Sequence, residues 1–204
     1  MGTPNNLEIL NRRSGLLIVF SGPSGVGKDT VLHGLCAVCP GVHRSVTFTT
    51  RKPRPGEQHG VDYFFVSEDE FRAMIARNEF LEHAEVHGNL YGSSLGQVRE
   101  IRELGGDVLL KIDVQGGLAV KERLPDAVMI FVGPPSLDEL ERRLRGRESD
   151  SDSAIARRLE DAGREIEQIP RYEYLVINDR IKDAVATVHA IVMAERVRIR
   201  SYEG

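Results

Sequence analysis

The sequence predicts an α/β fold with a mainly parallel sheet, and three observations carry that prediction. Short, β-branched apolar runs alternate with stretches of helical periodicity from residue 16 to about residue 200. A glycine-rich segment, Ser21-Gly22-Pro23-Ser24-Gly25-Val26-Gly27-Lys28-Asp29-Thr30, lies between the first apolar run and the first helical stretch. Two polar, arginine-bearing segments, 47–95 and 137–158, interrupt the alternation.

Taken in order, Leu16–Ser21 reads as the first strand and Thr30–Val38 as the first helix, stopped by Pro40-Gly41. Ser45–Thr49 alternates as a strand does, whereas Arg51-Lys52-Pro53-Arg54-Pro55-Gly56 has too many prolines for a helix or a central strand and reads as an exposed basic loop. Val61–Val66 reads as a strand. Ser67 with Glu70 forms a capping box for a helix to about Arg77. Phe80–Val86 is a strand, His87–Gly92 has turn chemistry, and Ser94–Leu104 is a helix closed by Gly105-Gly106. Asp107–Ile112 reads as a buried strand whose carboxyl end, Lys111-Ile112-Asp113, belongs beside the glycine-rich segment, where open α/β sheets place their ligands. Gln115–Leu124 is a helix and Val128–Val132 a strand. Ser136 with Glu139 caps a helix to about Arg145, Arg145–Ser153 reads as polar and flexible, and Ala154–Gln168 as a long amphipathic helix. Tyr174–Ile177 is a last short strand, and Ile181–Arg200 a terminal helix with Ala184, Val185, Val188, Ile191 and Val192 on its apolar face.

A strand, a glycine-rich turn and a helix in that order make a phosphate-binding loop. The glycines let successive N–H groups point inward, the helix N-terminus adds partial positive charge, and Lys28 can reach the outer phosphates of a nucleoside triphosphate. The loop residues Gly22, Pro23, Ser24, Gly25, Val26, Gly27, Lys28, Asp29 and Thr30 are therefore candidates for binding a nucleoside triphosphate. The pattern G-x-x-x-x-G-K-[ST] places a magnesium-binding hydroxyl after the lysine. Here that position is Asp29, with Thr30 one place late.

At 204 residues the chain fits one domain with inserted subdomains, and 41% apolar with 28% charged residues suits a packed core. A net charge of −4 argues against a general nucleic-acid or membrane binder. No apolar run approaches the ~20 residues of a membrane span, and residues 1–14 carry no secretory signal and read as a flexible extension. His33, Cys36, Cys39 and His43 are spaced in a way that suggests zinc, but Cys36 and Cys39 fall on the first helix, and a single C-x-x-C is weak grounds for a metal site.

The first inserted segment holds a second constellation. Arg51 and Arg54 can clamp a phosphate bidentately, and Tyr63 and Tyr91 can donate further bonds to it. Glu82 can accept from the ring N–H and amino group that guanine, unlike adenine, presents on one edge. The same residues also suit an ordinary charged surface with half-buried tyrosines.

The stretch Ser45–Glu57, then Gly60-Val61-Asp62-Tyr63, Phe80-Leu81-Glu82, Tyr91-Gly92-Ser93 and Ile112-Asp113-Val114-Gln115-Gly116 closely resembles guanylate kinase, in order and across about residues 15–200. The resemblance implies a three-layer P-loop nucleoside-monophosphate-kinase fold: a core of 15–46, 96–136 and 159–204, a GMP-binding subdomain at 47–95 and a mobile lid at 137–158. It implies transfer of the γ-phosphoryl group of ATP to GMP, and to dGMP, with Mg2+, by a cytoplasmic enzyme of purine nucleotide metabolism. By the same resemblance Arg51, Arg54, Tyr63 and Tyr91 hold the GMP phosphate, Thr47, Glu82 and Ser93 read guanine, and Asp113 is an acid near the guanine site. Arg143, Arg147 and Arg158 close over the transferring phosphates, with Lys28 and Arg51 joining them in catalysis, and Asn178 lies beside adenine. ATP and GMP are the expected partners, with neither nucleic acid nor membrane, and the oligomeric state is left open.

Two positions depart from the family pattern. Asp29 replaces the magnesium-binding hydroxyl, and Lys111 replaces the first acid of an Asp-x-Asp pair. The two changes are opposite in charge, which predicts that Asp29 and Lys111 pair at the mouth of the loop. Magnesium would then rest mainly on phosphate oxygens and water, helped by Thr30 or reached through Asp29. Two other readings stay open at this level: a related kinase acting on another phosphorylated sugar or nucleotide, and a protein-binding module that keeps the fold without the reaction.

Overall fold

The computed structural model describes residues 14–86, 88–146 and 151–199, so the expected flexible extension at 1–14 falls almost wholly outside the described residues. Among the described residues the strands form a five-stranded sheet, in the order β2 (Val42–Arg44), β7 (Asp107–Lys111), β1 (Leu17–Ser21), β8 (Val128–Gly133), β9 (Tyr174–Ile177), and a four-stranded sheet, in the order β4 (Phe64–Phe65), β3 (Phe48–Thr49), β6 (Asn89–Ser94), β5 (Phe80–Val86). By contacts the described residues divide into two units. One holds 41–108 with the chain up to Leu17, and the other holds 18–40 and the chain from Leu109 on.

Strands β1 (Leu17–Ser21), which enters the second unit at Ile18, and β8 (Val128–Gly133) are buried at every position. Parallel strands reach that state when helices cover both sheet faces, which is why they read as unbroken apolar runs with no alternation. β1 pairs with β8 in parallel from Ile18↔Val128 to Ser21↔Phe131, and β8 pairs in parallel with β9 (Tyr174–Ile177). Helix α1 (Lys28–Val38) buries Val31, Leu32 and Leu35, and begins two residues before the predicted Thr30 because the glycine loop itself winds into it. It packs on α7 (Ile181–Val197) so closely that a Cβ on Gly34 would lie 2.7 Å from Cγ2 of Val185. Along α7, Ala184, Val188, Val192 and Glu195 are buried at helical spacing. Cys39 is buried after α1 and Cys36 is exposed on it.

The strand β7 (Asp107–Lys111) leads into α4 (Val114–Arg123), capped by the Asp113 carboxylate, which accepts from the Gly116 N–H at 2.7 Å. Helix α5 (Leu137–Arg145) is capped by Ser136, and α6 (Asp152–Ile166) by Ser151. Leu140 and Leu144 of α5 pack on Ile155, Leu159 and Ala162 of α6. Of the stretch 145–153 predicted to be flexible, Arg145 closes α5 and Asp152 opens α6, and 147–150 lie outside the described residues.

The first unit carries β2 (Val42–Arg44), β3 (Phe48–Thr49), β4 (Phe64–Phe65), α2 (Glu68–Ala76), β5 (Phe80–Val86), β6 (Asn89–Ser94) and α3 (Leu95–Glu103). Three expectations are corrected here. The strand predicted over Ser45–Thr49 shortens to β3, and a strand that was not predicted, β2, precedes it in the other sheet, so the chain changes sheets between them. The strand predicted over 61–66 shortens to Phe64–Phe65, because Gly60 at φ +79 and the bonds of the Val61 and Asp62 N–H groups to Gln58 hold 58–62 in a turn. The predicted turn through Gly92 is mostly β6, since Asn89 already pairs with Val86 and alternation resumes at once. The Ser67 cap is present as predicted, its hydroxyl accepting from the Glu70 N–H at 3.1 Å.

The hairpin β5–β6 contains a bulge between Phe80 and Glu82: Phe80 faces Ser94, and Glu82 faces Ser93. Because neighbouring residues point to opposite faces, the bulge turns two residues that share a face in a regular strand onto opposite faces. Phe80 joins the apolar cluster with Phe71, Met74 and Phe48, stacking on Phe71 at 4.4 Å between ring centroids, while Glu82 joins Ser93 on the polar face. Truncating Phe71, which is fully buried, should cost about 3–5 kcal/mol. Urea unfolding of Phe71→Ala followed by far-ultraviolet circular dichroism reads this as a lower midpoint.

Candidate active site

The phosphate loop leaves β1 at Ser21 and enters α1 at Lys28. Its path depends on glycine, as Gly22 and Gly27 show. Gly22 has φ +142 and would put a Cβ 2.1 Å from the Val132 carbonyl oxygen, and Gly27 has φ +91 and would put one 2.6 Å from Nδ2 of Asn178. Val26 is buried between them, Pro23 is buried and Ser24 is exposed. Lys28 folds back over the loop, its ammonium donating to the carbonyls of Gly22 and, at 3.0 Å, Pro23. Removal from water pushes the Lys28 pKa down to about 8. Glu165, Asp29 and Asp113 oppose that fall, and Lys111 deepens it.

Asp29 and Lys111 meet as predicted. The Lys111 ammonium donates to Oδ1 of Asp29 at 2.5 Å, with the lysine side chain 18% exposed and the aspartate 72%. Thr30, next along α1, lines a cavity of about 680 Å³ with Gly25, Gly27, Arg143, Asn178 and Ile181. That is the size class of small-molecule sites. Asn178 is 3% exposed and sits at the end of β9, where its N–H donates to the Gly133 carbonyl at 2.8 Å. Its Nδ2 donates to the Val26 carbonyl at 2.7 Å, and its Oδ1 is buried without a hydrogen-bond partner among the described residues. Arg143 donates through Nη1 to the Asn178 carbonyl at 2.9 Å and through Nε to Glu139 at 2.6 Å. Bonds from Arg142 and Arg143 bring the Glu139 carboxyl down to about 2. Arg158 is half-buried on α6, and Arg147 lies outside the described residues. Asp113 is engaged as the cap of α4, and its carbonyl accepts from the Ser21 hydroxyl at 3.2 Å.

In the unit holding 41–108, the register of β3, β6 and β5 gathers the other predicted residues. Thr49 pairs with Tyr91, and Glu82 with Ser93, so these side chains share one face of the sheet. Glu82 is 8% exposed and accepts from the Ser93 hydroxyl at 2.6 Å. Thr47 precedes β3, its carbonyl accepting from the Phe64 N–H at 2.9 Å. Arg51 lies with its guanidinium carbon 5.2 Å from the Tyr63 ring centroid, and Tyr63 and Tyr91 meet edge to face at 6.2 Å. One nitrogen of Arg51 reaches both carboxylate oxygens of Glu57, at 2.8 and 2.9 Å, and the Arg54 N–H also donates to Glu57, at 2.7 Å. This pairing holds the Glu57 carboxyl below the usual range. The Arg54 side chain is exposed.

Three further residues reach these clusters without having been singled out in the sequence. Glu57 holds Arg51, and the run Arg51–Glu57 spans a turn tight enough for such a contact. Glu139 holds Arg143, and the i,i+4 spacing on α5 is the signal for it. Glu165 acts on Lys28 and is itself raised by burial; it follows Arg158 by seven residues, two turns along the same face of α6.

A mainly parallel α/β sheet with a phosphate loop at the end of its first strand, a basic arm beside the loop and a carboxylate-bearing sheet in an insertion defines a nucleotide-binding protein of the phosphate-loop class. A family model described as guanylate kinase matches residues 14–195. The chain is 48% identical over 187 residues to a guanylate kinase of Geobacter metallireducens, covering 92% of each, and 49% identical over 188 residues to one of Lactococcus lactis, again covering 92% of each. The crystal structure of guanylate kinase from Anaplasma phagocytophilum is similar at a TM-score of 0.77 and 34% identity, covering 92% of this chain and 89% of that one. The chain belongs to the guanylate kinase family, and its fold is that of the P-loop nucleoside-monophosphate kinases. Among the described residues no helix is long and apolar enough to cross a membrane.

The depressed lysine makes a pH prediction. Below pH about 8 Lys28 carries its proton and attracts phosphate, and above that value the free protein loses the charge. Isothermal titration with ATP should show affinity falling as pH rises through about 8, and Lys28→Met should flatten that dependence.

Proposed function

We propose that this chain transfers the γ-phosphoryl group of ATP to GMP, and also to dGMP, giving ADP and GDP or dGDP. The observation that carries the reading is the buried Glu82 carboxylate, bonded to Ser93, on a sheet face shared with Tyr91. A carboxylate is an acceptor only. It suits guanine, which offers a ring N–H and an amino group on one edge, and it repels the bare ring nitrogen that adenine offers there. Thr47 and Ser93 complete the base contacts. Arg51, Arg54, Tyr63 and Tyr91 take the GMP phosphate, Arg51 exchanging contacts with Glu57 for contacts with the ligand. None of these residues is assigned to the ribose 2′-hydroxyl, which is why dGMP is included.

On the donor side the loop amides of 22–30 and Lys28 take the ATP phosphates, and Asn178, with its unpartnered carbonyl oxygen, faces the adenine amino group. A GMP phosphate oxygen forms the new bond to the γ-phosphorus, the bond to the β,γ-bridging oxygen breaks, and ADP leaves with that electron pair. Such a transfer needs positioning and charge neutralisation more than covalent help. Arg143, Arg147 and Arg158 supply the cations from a lid at 137–158, Asp113 stands near the guanine, and 47–95 acts as the acceptor subdomain on a core of 15–46, 96–136 and 159–204.

The donor set near the loop fits magnesium sparingly. Asp29 and Thr30 offer hard oxygens, and among the described residues no group of three or more His, Cys, Asp or Glu can hold an ion. Mg2+ bound with ATP would spread phosphate charge while resting mainly on phosphate oxygens and water, with Asp29 or Thr30 as its protein contacts. The same reading places the enzyme in the cytoplasm, with its nucleotide substrates.

A coupled assay of ADP release with GMP, dGMP, AMP, CMP and UMP tests the proposal. Turnover is expected with GMP and dGMP, and absence of GMP-dependent turnover would overturn it. Glu82→Gln should lower kcat/KM for GMP by about 10- to 100-fold and narrow the preference for GMP over AMP, since one charge-assisted hydrogen bond is lost. An unchanged preference would remove Glu82 from base recognition.

A further inference from the structure

The Asp29–Lys111 pair poses an electrostatic problem for the donor site. Asp29 is the second residue of α1, in the first turn. The field of a helix N-terminus favours a carboxylate there, but it is the same field that a phosphate loop offers to its ligand. An uncompensated carboxylate at this place repels the polyphosphate that the loop must hold. Lys111, the last residue of β7, removes that conflict: its ammonium lies 2.5 Å from Oδ1 of Asp29, and its side chain is far less exposed than its partner's. The ammonium is thus held at the loop mouth. Its charge is felt by Lys28, whose own ammonium is occupied by the carbonyls of Gly22 and Pro23. Two cations therefore stand at one loop, one on backbone oxygens and one on a carboxylate, and both are contacts that a phosphate can replace.

We propose that Lys111 is a second phosphate-binding cation of the donor site, presented by Asp29 in the free protein and passed to the terminal phosphates when ATP binds. The proposal rests on the reading of the loop as the ATP site and adds a residue to it. The alternative for the same geometry is a clip that only joins the end of β7 to the start of α1. The two differ in symmetry. A clip is broken equally by losing either partner. A phosphate ligand is not: losing the lysine removes attraction and leaves a repelling carboxylate, whereas losing the aspartate's charge leaves the ammonium for the phosphates.

Titration calorimetry of the full chain with ATP and with adenosine, in EDTA so that no metal contributes, separates them. Lys111→Met should weaken ATP binding by about tenfold or more and leave adenosine binding unchanged. Asp29→Asn should bind ATP at least as tightly as the parent. The double variant Asp29→Asn, Lys111→Met should recover part of the loss seen with Lys111→Met alone, and Lys111→Arg should retain most of the parent affinity. With magnesium restored, Lys111→Met should raise KM for ATP more than KM for GMP. Thermal unfolding of each variant checks that the fold is kept. Should Lys111→Met unfold, Lys111→Gln replaces it in the same series. Equal losses for Asp29→Asn and Lys111→Met, or ATP affinity in Lys111→Met matching the parent, would overturn the inference while leaving the kinase reading intact. A parent protein that binds no ATP would overturn the donor-site reading itself, and this inference with it.

Discussion

The backbone of the phosphate loop has almost no lateral freedom, and the donor side of the molecule depends on that. At Gly22 the Val132 carbonyl fills the place of a side chain, and at Gly27 the Asn178 amide does. Asn178 is placed in turn by β8, through the Gly133 carbonyl, and it closes the arrangement by bonding the Val26 carbonyl. Loop, β8 and the end of β9 therefore specify one another. A loop held on both sides in this way has little conformational entropy left to lose on binding phosphate. The chain of contacts continues outward, since Arg143 is positioned by the Asn178 carbonyl and by Glu139.

A second regularity concerns charge. Cations assigned to phosphate repeatedly rest on a carboxylate: Arg51 on Glu57, Arg143 on Glu139, Lys111 on Asp29. Lys28 rests on carbonyls with Glu165 acting on it. Within each cluster, neighbouring positive charges repel one another, and local acids offset that repulsion. The overall charge of −4 is consistent with a protein whose basic residues are a local device and not a general surface character. In the proposed reaction, nucleotide binding is then an exchange of partners, in which Arg51, Arg143 and Lys111 trade a carboxylate for a phosphate and Lys28 trades backbone carbonyls.

Much of this was readable from residue order. The apolar runs at β1 and β8 are unbroken because both sheet faces are covered, so they announce a parallel sheet directly. Ser67 and Ser136 announce their helices through local capping, which needs no tertiary context. The opposite charges at Asp29 and Lys111 announced their own contact, because strand end and helix start are neighbours in this class of sheet. The elements read wrongly were short and lay in or just before the insertion. The alternating run Ser45–Thr49 is strand only at β3, while β2, just ahead of it, pairs in the other sheet, and alternation carries no record of the partner.

The placement of Glu82 marks the boundary between the two kinds of information. That a carboxylate, a serine, two tyrosines and two arginines occur in the insertion is a property of the chain alone, and so is the chemistry they can offer to guanine and phosphate. That Glu82 faces Ser93 while Phe80, two residues earlier, turns into the apolar cluster is decided by a bulge. A bulge is a mismatch between two strands, so it exists only once they pair. The same holds for Asn178 over Gly27 and for Glu165 near Lys28, contacts made by residues far apart along the chain. Local periodicity and capping act within a few residues and are written into their order. Register, close backbone approach and the burial that shifts Lys28 arise from packing between distant segments, and folding alone supplies them.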